Sequence, residues 1–211
     1  MGLLDTLLGR TKPVQSNLDA LFALPSASVT LQSAAGMSCS GNAGVCFKPP
    51  SGQGFEEMQA EVVKLLSMDG TGGLRKAEDA YGYHWLVVED PDIEALVTRI
   101  HLVNSSLSDA GWGPQLLCSV FGLDTLPTTD PPSEADAGPV PSITVGPGHV
   151  VPSTAFLVYL FKRGTFYPFV PTGTEKRDIE EELKLKSLVA DDLVVEADLD
   201  RWFPLWDLPV G

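Results

Sequence analysis

The chain has 211 residues, 44% of them hydrophobic, and a formal net charge of −14 at pH 7. This length and apolar fraction predict a single domain, 1–211, with a core of its own. A negative surface repels nucleic acids and anionic lipid headgroups, and the basic pairs at 75–76, 162–163 and 176–177 are too scattered to compensate. The composition therefore predicts no nucleic-acid partner.

The first ten residues place Leu3, Leu4, Leu7 and Leu8 on one face of a short predicted helix. A helix of this length is marginal in water, so we expect the segment to dock on its own domain or on a partner. Asp5 interrupts the apolar stretch, which argues against a signal peptide, and no run reaches the roughly 18–20 apolar residues of a membrane span. Together with the low, odd count of three cysteines, these features predict a cytoplasmic protein that does not insert into the membrane.

Three short elements are predicted next: helices over Leu18–Leu24 and Ser26–Ala35, and a hairpin over Met37–Lys48. The hairpin turn is expected near Gly41 and Asn42, which are typical turn residues. Free thiols are expected at Cys39 and Cys46, with a disulfide across the hairpin as the alternative. The apolar spacing of Phe55–Met68 predicts a longer helix.

The clearest strand and the clearest helix are neighbours in the sequence. The strand Tyr83–Glu89 divides its side chains between two faces, Tyr83, Trp85 and Val87 on one and Leu86 and Val88 on the other. The helix that follows has Asp90 as its predicted N-cap, Pro91 at its first position and Gly111 at its end. Its apolar stripe consists of Ile93, Leu96, Val97, Ile100, Val103 and Leu107.

A strand is predicted over Gln115–Phe121 and a last helix over Glu175–Ala190. Between them, Asp124–Ser153 is rich in Pro, Gly, Ser, Thr and Asp and has no period, so we expect a flexible insertion at 124–153. The element order favours an α+β fold, an antiparallel sheet with flanking helices. A doubly wound α/β sheet is the less favoured alternative, because only the helix after 83–89 is a clear crossover.

The most informative stretch lies between the insertion and the last helix. The apolar run Phe156–Phe161 reverses at Gly164 and returns through Phe166–Val170, which predicts an antiparallel hairpin. Pro168 and Pro171 remove backbone donors from the return arm. That arm is therefore expected at the edge of the sheet.

Catalytic motifs are incomplete throughout the chain. Gly36 and Ser38 begin a nucleophile elbow, but Ser40 stands where its second glycine is needed. His84 and His101 lack the spacing of metal ligands. The sequence thus predicts no catalytic residue, metal or cofactor, and favours a protein that is not an enzyme. The alternative is a hydrolase with a Cys/Ser–His site that only the fold assembles.

The end of the chain carries aromatic side chains that must be covered by something. Residues 201–206 contain two of the four tryptophans. They either pack over the sheet or dock on a partner. With the apolar face at the other terminus, the candidate partner-binding residues are Leu4, Leu7, Leu8, Trp202, Phe203 and Trp206.

Several segments together resemble one family: residues 1–10, Asn17–Pro25, Tyr81–Val88, Phe156–Asp178 and Arg201–Pro204 look like the PspA-associated protein PspAB family. This bacterial and archaeal family is linked to the phage-shock envelope-stress system and to a membrane protease of the HtpX type. The resemblance implies a non-enzymatic accessory protein of the stress response that acts through protein–protein contacts. It implies a PspA-like protein or an HtpX-type membrane protease as partner, and no catalytic residues. The element order also resembles the chaperone-like fold of type III secretion chaperones and YbjN-like proteins.

Removal of the N-terminal leucine face tests its role. Each fully buried leucine contributes roughly 1.5–3 kcal/mol, so a chain that begins at Lys12 should melt at a lower temperature than the full chain. Neither form should float with lipid vesicles, because the surface is acidic and Arg10 is the only nearby cation before Lys12. Flotation that depends on the first ten residues would contradict this and establish membrane binding.

Overall fold

The computed structural model describes residues 16–48, 73–126 and 154–210, together with Ala60 and Lys64, which are helical. The strands are Met37–Phe47 (β1), Gly73–Glu78 (β2), His84–Glu89 (β3), Leu116–Thr125 (β4), Thr154–Leu160 (β5), Thr165–Phe169 (β6), Pro171–Gly173 (β7) and Lys176–Arg177 (β8). The helices are Leu24–Ala35 (α1), Ile93–Leu107 (α2) and Ile179–Val189 (α3), with helical turns at Leu18–Ala23, Ser108–Trp112, Gly113–Gln115 and Leu199–Arg201.

Strands β1 to β6 form one sheet in the spatial order β2-β3-β1-β4-β5-β6, and β7 pairs with β8. Each described strand is antiparallel to its neighbours. This is the predicted α+β fold and not the doubly wound alternative, which needs parallel strands. Within the described ranges, no helix combines the length and hydrophobicity that a membrane crossing requires.

Successive side chains of a strand point to opposite faces of the sheet. Both faces carry apolar side chains and both are buried. Side chains of one face, such as Leu86 and Val88, pack with α1, α2 and α3, and we call this the helix face. Trp85 and Val87 point the other way, as predicted, into a second apolar cluster. Residues 202–210, here called the C-terminal strap, cross this second face and contribute Trp202 to its cluster. We call it the strap face.

The predicted hairpin over 37–48 is wrong, because this segment is the single strand β1 near the middle of the sheet. Gly41 has a positive φ of 79°, as a turn residue would, but here the conformation serves an irregularity in the pairing with β4 between Cys39 and Ala43. The carbonyl of Gly41 accepts a hydrogen bond from the Asp90 amide at 2.8 Å. Since there is no hairpin, there is also no Cys39–Cys46 bridge, and both thiols are free.

The predicted hairpin at the other side of the sheet is confirmed. β5 and β6 pair antiparallel from Phe156 opposite Phe169 to Leu160 opposite Thr165. Gly164 closes the connection with a φ of 69°, and its amide donates to the Leu160 carbonyl at 2.9 Å. β6 ends the strand order, which places Pro168 at the sheet edge as expected.

Three predicted helices, over Ser26–Ala35, after Asp90 and over Glu175–Ala190, are confirmed, but each begins at a different residue from the one predicted. The N-cap of α2 is Asp92, which accepts from the Glu94 amide at 3.1 Å, and not Asp90. Asp90 is instead buried in an ion pair with Arg99 at 3.2 Å. α3 begins at Ile179 with Asp178 as its cap, because the residues before it form the β7–β8 ladder.

Some predictions fall on parts of the chain that the structure does not describe. They are the helix of the first ten residues, most of the helix predicted over Phe55–Met68, and positions 127–153 of the expected insertion. The insertion prediction began too early, because Asp124 and Thr125 still belong to β4.

Substitution of Gly164 tests the hairpin turn. A Cβ atom at this position would meet the Cβ of Asn17 at 2.9 Å, in addition to the strain of a positive φ. Gly164→Val should therefore lower the free energy of unfolding by roughly 1–3 kcal/mol in urea denaturation. Gly82→Val is the matched control, because Gly82 has a similar φ of 77° but no atom within 4 Å of an added Cβ. Equal losses for the two variants would show that the Asn17 contact does not matter.

Candidate functional site

A cleft of about 940 Å³ lies between the strap face of the sheet and the C-terminal strap. Its floor is one row of directly paired residues across four strands: Trp85 of β3, Cys46 of β1, Cys118 of β4 and Leu160 of β5. Residues 203–206 of the strap line the opposite side. The cleft therefore joins parts of the chain that are far apart in sequence.

Six aromatic side chains line the cleft: Tyr81, Tyr83, Trp85, Tyr167, Phe203 and Trp206. The carboxylate of Asp79 organises the end formed by the β2–β3 turn. It accepts from the amides of Tyr81 and Tyr83 at 2.9 and 3.0 Å and from the indole N–H of Trp85 at 2.9 Å. One acidic side chain thus fixes both the turn and the floor.

The strap is held by hydrogen bonds to its backbone and by ring contacts. Trp202 stacks on Tyr167 with ring centroids 5.8 Å apart. The Tyr167 hydroxyl, whose pKa is raised by burial, donates to the Phe203 carbonyl at 2.8 Å. Arg177 donates to the Trp202 carbonyl at 2.6 Å, and at the other end Arg75 donates to the Pro209 carbonyl.

The predicted partner-binding residues occupy different environments. Trp202 is buried against Tyr167 of the sheet, whereas Phe203 is 56% exposed at the edge of the cleft. Trp206 is half-buried and lies edge-on to Phe169 at 5.4 Å. Leu4, Leu7 and Leu8 lie outside the described residues.

The sequence did not predict that four further aromatic residues line the cleft: Tyr81, Tyr83, Trp85 and Tyr167. The alternation of Tyr83–Glu89 already placed Tyr83 and Trp85 on one face, which was the available signal. Tyr167 could not be joined to them, because it lies on β6, beyond β1, β4 and β5 in the strand order.

The described histidines do not meet the thiols or a serine. His84 lies 3.7 Å from Glu78, and His101 lies 3.9 Å from Asp19 on the helix side of the molecule, where it packs on Phe22. Neither lines the cleft or hydrogen-bonds a cysteine or serine within residues 16–48, 73–126 and 154–210. Contact with Cys118 and burial raise the pKa of Cys46, which is the opposite of what activates a nucleophile. In these residues, nothing supports the Cys/Ser–His hydrolase site.

A buried carboxylate, that of Glu196, positions one of the residues that line the cleft. Glu196 is 2% exposed and accepts from Arg163, from the Thr165 hydroxyl at 2.9 Å and from the Asp198 amide at 3.1 Å. Burial raises the pKa of Glu196, but these donors, led by Arg163, outweigh it and hold the pKa below its ordinary value. Glu196 thereby positions Arg163, which lines the cleft.

The lowered pKa of Glu196 predicts a loss of stability in acid. A carboxyl whose folded pKa is depressed stabilises the fold above its unfolded pKa, and this contribution disappears as the pH falls through the folded pKa. Glu196→Gln should cost about 1–3 kcal/mol at neutral pH and should flatten the acid limb of the stability curve below about pH 5. Urea titrations across pH would measure both effects.

Glu180→Gln is the control for this experiment. Its carboxylate also pairs with a cation, Lys184 at 3.2 Å, but the side chain is 83% exposed. Exposed pairs contribute little, so this variant should follow the wild-type curve. An unchanged acid limb in Glu196→Gln would contradict the assigned role of Glu196.

Comparison with known proteins identifies the family. The model of one family, PspA associated protein B (PspAB), matches residues 1–210. No curated protein and no solved structure shows significant similarity to the chain. The likeness to type III secretion chaperones and YbjN-like proteins therefore stays a prediction. Because the family match covers all but the final residue, the chain belongs to the PspAB family, PspA associated protein B.

Proposed function

We propose that this protein is a cytoplasmic, non-enzymatic accessory protein of the phage-shock envelope-stress response that binds a partner protein in the aromatic cleft. The observation that carries the proposal is the cleft itself, which has a volume of about 940 Å³, six aromatic side chains in its lining and the exposed Phe203 at its border. The family name supports a PspA-like protein as the partner. An HtpX-type membrane protease is the second candidate.

The lining of the cleft has the composition of a protein-binding hot spot. Trp, Tyr and Arg contribute most to binding energy at protein interfaces, and Tyr83, Trp206 and Arg163 line the cleft with part of their surface accessible. Asp79 holds the backbone of Tyr83, and Glu196 holds the guanidinium of Arg163, before any partner binds. A preformed site loses less conformational entropy when the partner arrives.

The charges around the cleft indicate what kind of segment fits. Lys162, Arg163 and Arg201 line it in a protein that is acidic overall. Arg163 and Arg201 pair with Glu196 and Asp198, whereas Lys162 has no ion-pair partner among the described residues. A partner segment with apolar side chains next to an acidic residue would fill the cleft and pair with Lys162.

Binding measurements on cleft variants test the proposal. Phe203→Ala and Trp206→Ala should each weaken binding to a purified PspA-like protein by about tenfold or more in calorimetric titration. The Phe203 substitution leaves the strap anchor in place, because Tyr167 donates to the backbone carbonyl of Phe203 and not to its side chain. Phe22→Ala is the matched control, since Phe22 is 51% exposed but lies on the helix side of the molecule.

The possible outcomes answer two questions separately: which surface binds, and which protein is the partner. Loss of affinity in Phe22→Ala alone would place binding on the helix side and overturn the cleft assignment. Binding to an HtpX-type protease, weakened by the Phe203 and Trp206 substitutions, would keep the cleft and replace the partner. Unchanged affinity in both cleft variants would contradict the proposed function.

A further inference from the structure

Two free thiols face each other on the floor of the aromatic cleft. Cys46 of β1 and Cys118 of β4 are directly opposite in the antiparallel register and are buried, at 3% and 5% exposure. Both belong to the apolar cluster of the strap face and both line the cleft. The sheet therefore presents a pair of thiols, 72 positions apart in sequence, to one open space.

The backbone geometry of this pair suits a disulfide. Residues directly opposite in an antiparallel pair have Cα atoms about 4.5–5.5 Å apart, inside the range of about 4.4–6.8 Å found for disulfides. Cys39 lies on the same strand as Cys46, but it has no cysteine opposite it and does not pack on the strap face. It is opposite Leu123 and packs against the helix-face core.

We propose that Cys46 and Cys118 are a modification site, at which an oxidant of the peroxide class forms a reversible disulfide between β1 and β4. The thiolate of one cysteine attacks a peroxide oxygen, the O–O bond breaks, and a sulfenic acid forms with release of water or an alcohol. The sulfur of the second cysteine then attacks the sulfenic sulfur. The S–S bond forms, and the departing hydroxyl leaves as water with the proton of the second thiol. The two thiols lose two electrons, which reduce one peroxide.

The environment of the pair makes this oxidation slow. Contact with Cys118 and burial raise the pKa of Cys46, so the thiolate that reacts is scarce at neutral pH. Asp79 adds to this effect, because its negative charge disfavours a second one nearby. Both residues still line the cleft, and the 3% and 5% of their surface that remain exposed are the route by which a small oxidant reaches them. The pair thus stays reduced at low peroxide and oxidises when peroxide accumulates.

Peptide mapping under non-reducing conditions tests the site directly. The full chain, reduced and then treated with hydrogen peroxide, should yield one cross-linked peptide that contains Cys46 and Cys118 and that separates on addition of a reductant. Cys39→Ala should leave the yield of this peptide unchanged, and Cys118→Ala should abolish it. Mapping of the wild-type chain does not depend on whether the variants fold.

Fluorescence supplies a second signature. Trp85 is directly opposite Cys46 on β3, and a disulfide quenches a nearby indole. Peroxide should therefore lower the emission reversibly in the wild-type chain, and the decrease should be smaller in Trp85→Phe, where Trp202 and Trp206 of the same apolar cluster remain. Three results would overturn the proposal: a cross-link that contains Cys39, sulfinic acids without a cross-link, or thiols that react only after the protein unfolds.

Discussion

Both faces of the central sheet are apolar, and the need to cover both of them governs the rest of the structure. Burial of apolar surface is the main favourable term in folding, so neither face can stay open to water without a large loss of stability. α1, α2 and α3 cover one face, and among the described residues the C-terminal strap crosses the other. The close approach of the strap requires Gly44, where a Cβ would meet Val210 at 2.9 Å. The cleft is thus a consequence of how the second face is covered.

A buried ion pair links the helix layer on one face of the sheet to the C-terminal strap on the other. Glu182 of α3 is fully buried, accepts from the Val170 amide at 2.9 Å and pairs with Arg177. Arg177 in turn lies over the ring of Phe169 at 5.2 Å and donates to the carbonyl of Trp202. Each partner would be costly to bury alone, so the pair holds the helix layer and the strap in one arrangement. The buried pair therefore contributes to the position of the strap, and so to that of the cleft.

The buried thiols and the histidines of the described residues lie apart from one another. Cys46 and Cys118 are surrounded by apolar and aromatic side chains, while His84 and His101 are placed next to carboxylates elsewhere. These surroundings support the proposed binding role of the cleft over acid–base chemistry.

The sequence by itself determined the features that depend on neighbouring residues: the α+β class, the hairpin closed by Gly164 and the two faces of Tyr83–Glu89. These follow from side-chain periodicity and turn preference, which act over a few positions. The same local patterns predicted a hairpin turn near Gly41, which is wrong. A residue with a positive φ suits a turn and an irregularity within a strand equally well. Only the tertiary structure decided that Cys46 lies opposite Cys118 and that the strap lies over both. Strand order and register are set by long-range packing, and no local pattern encodes them.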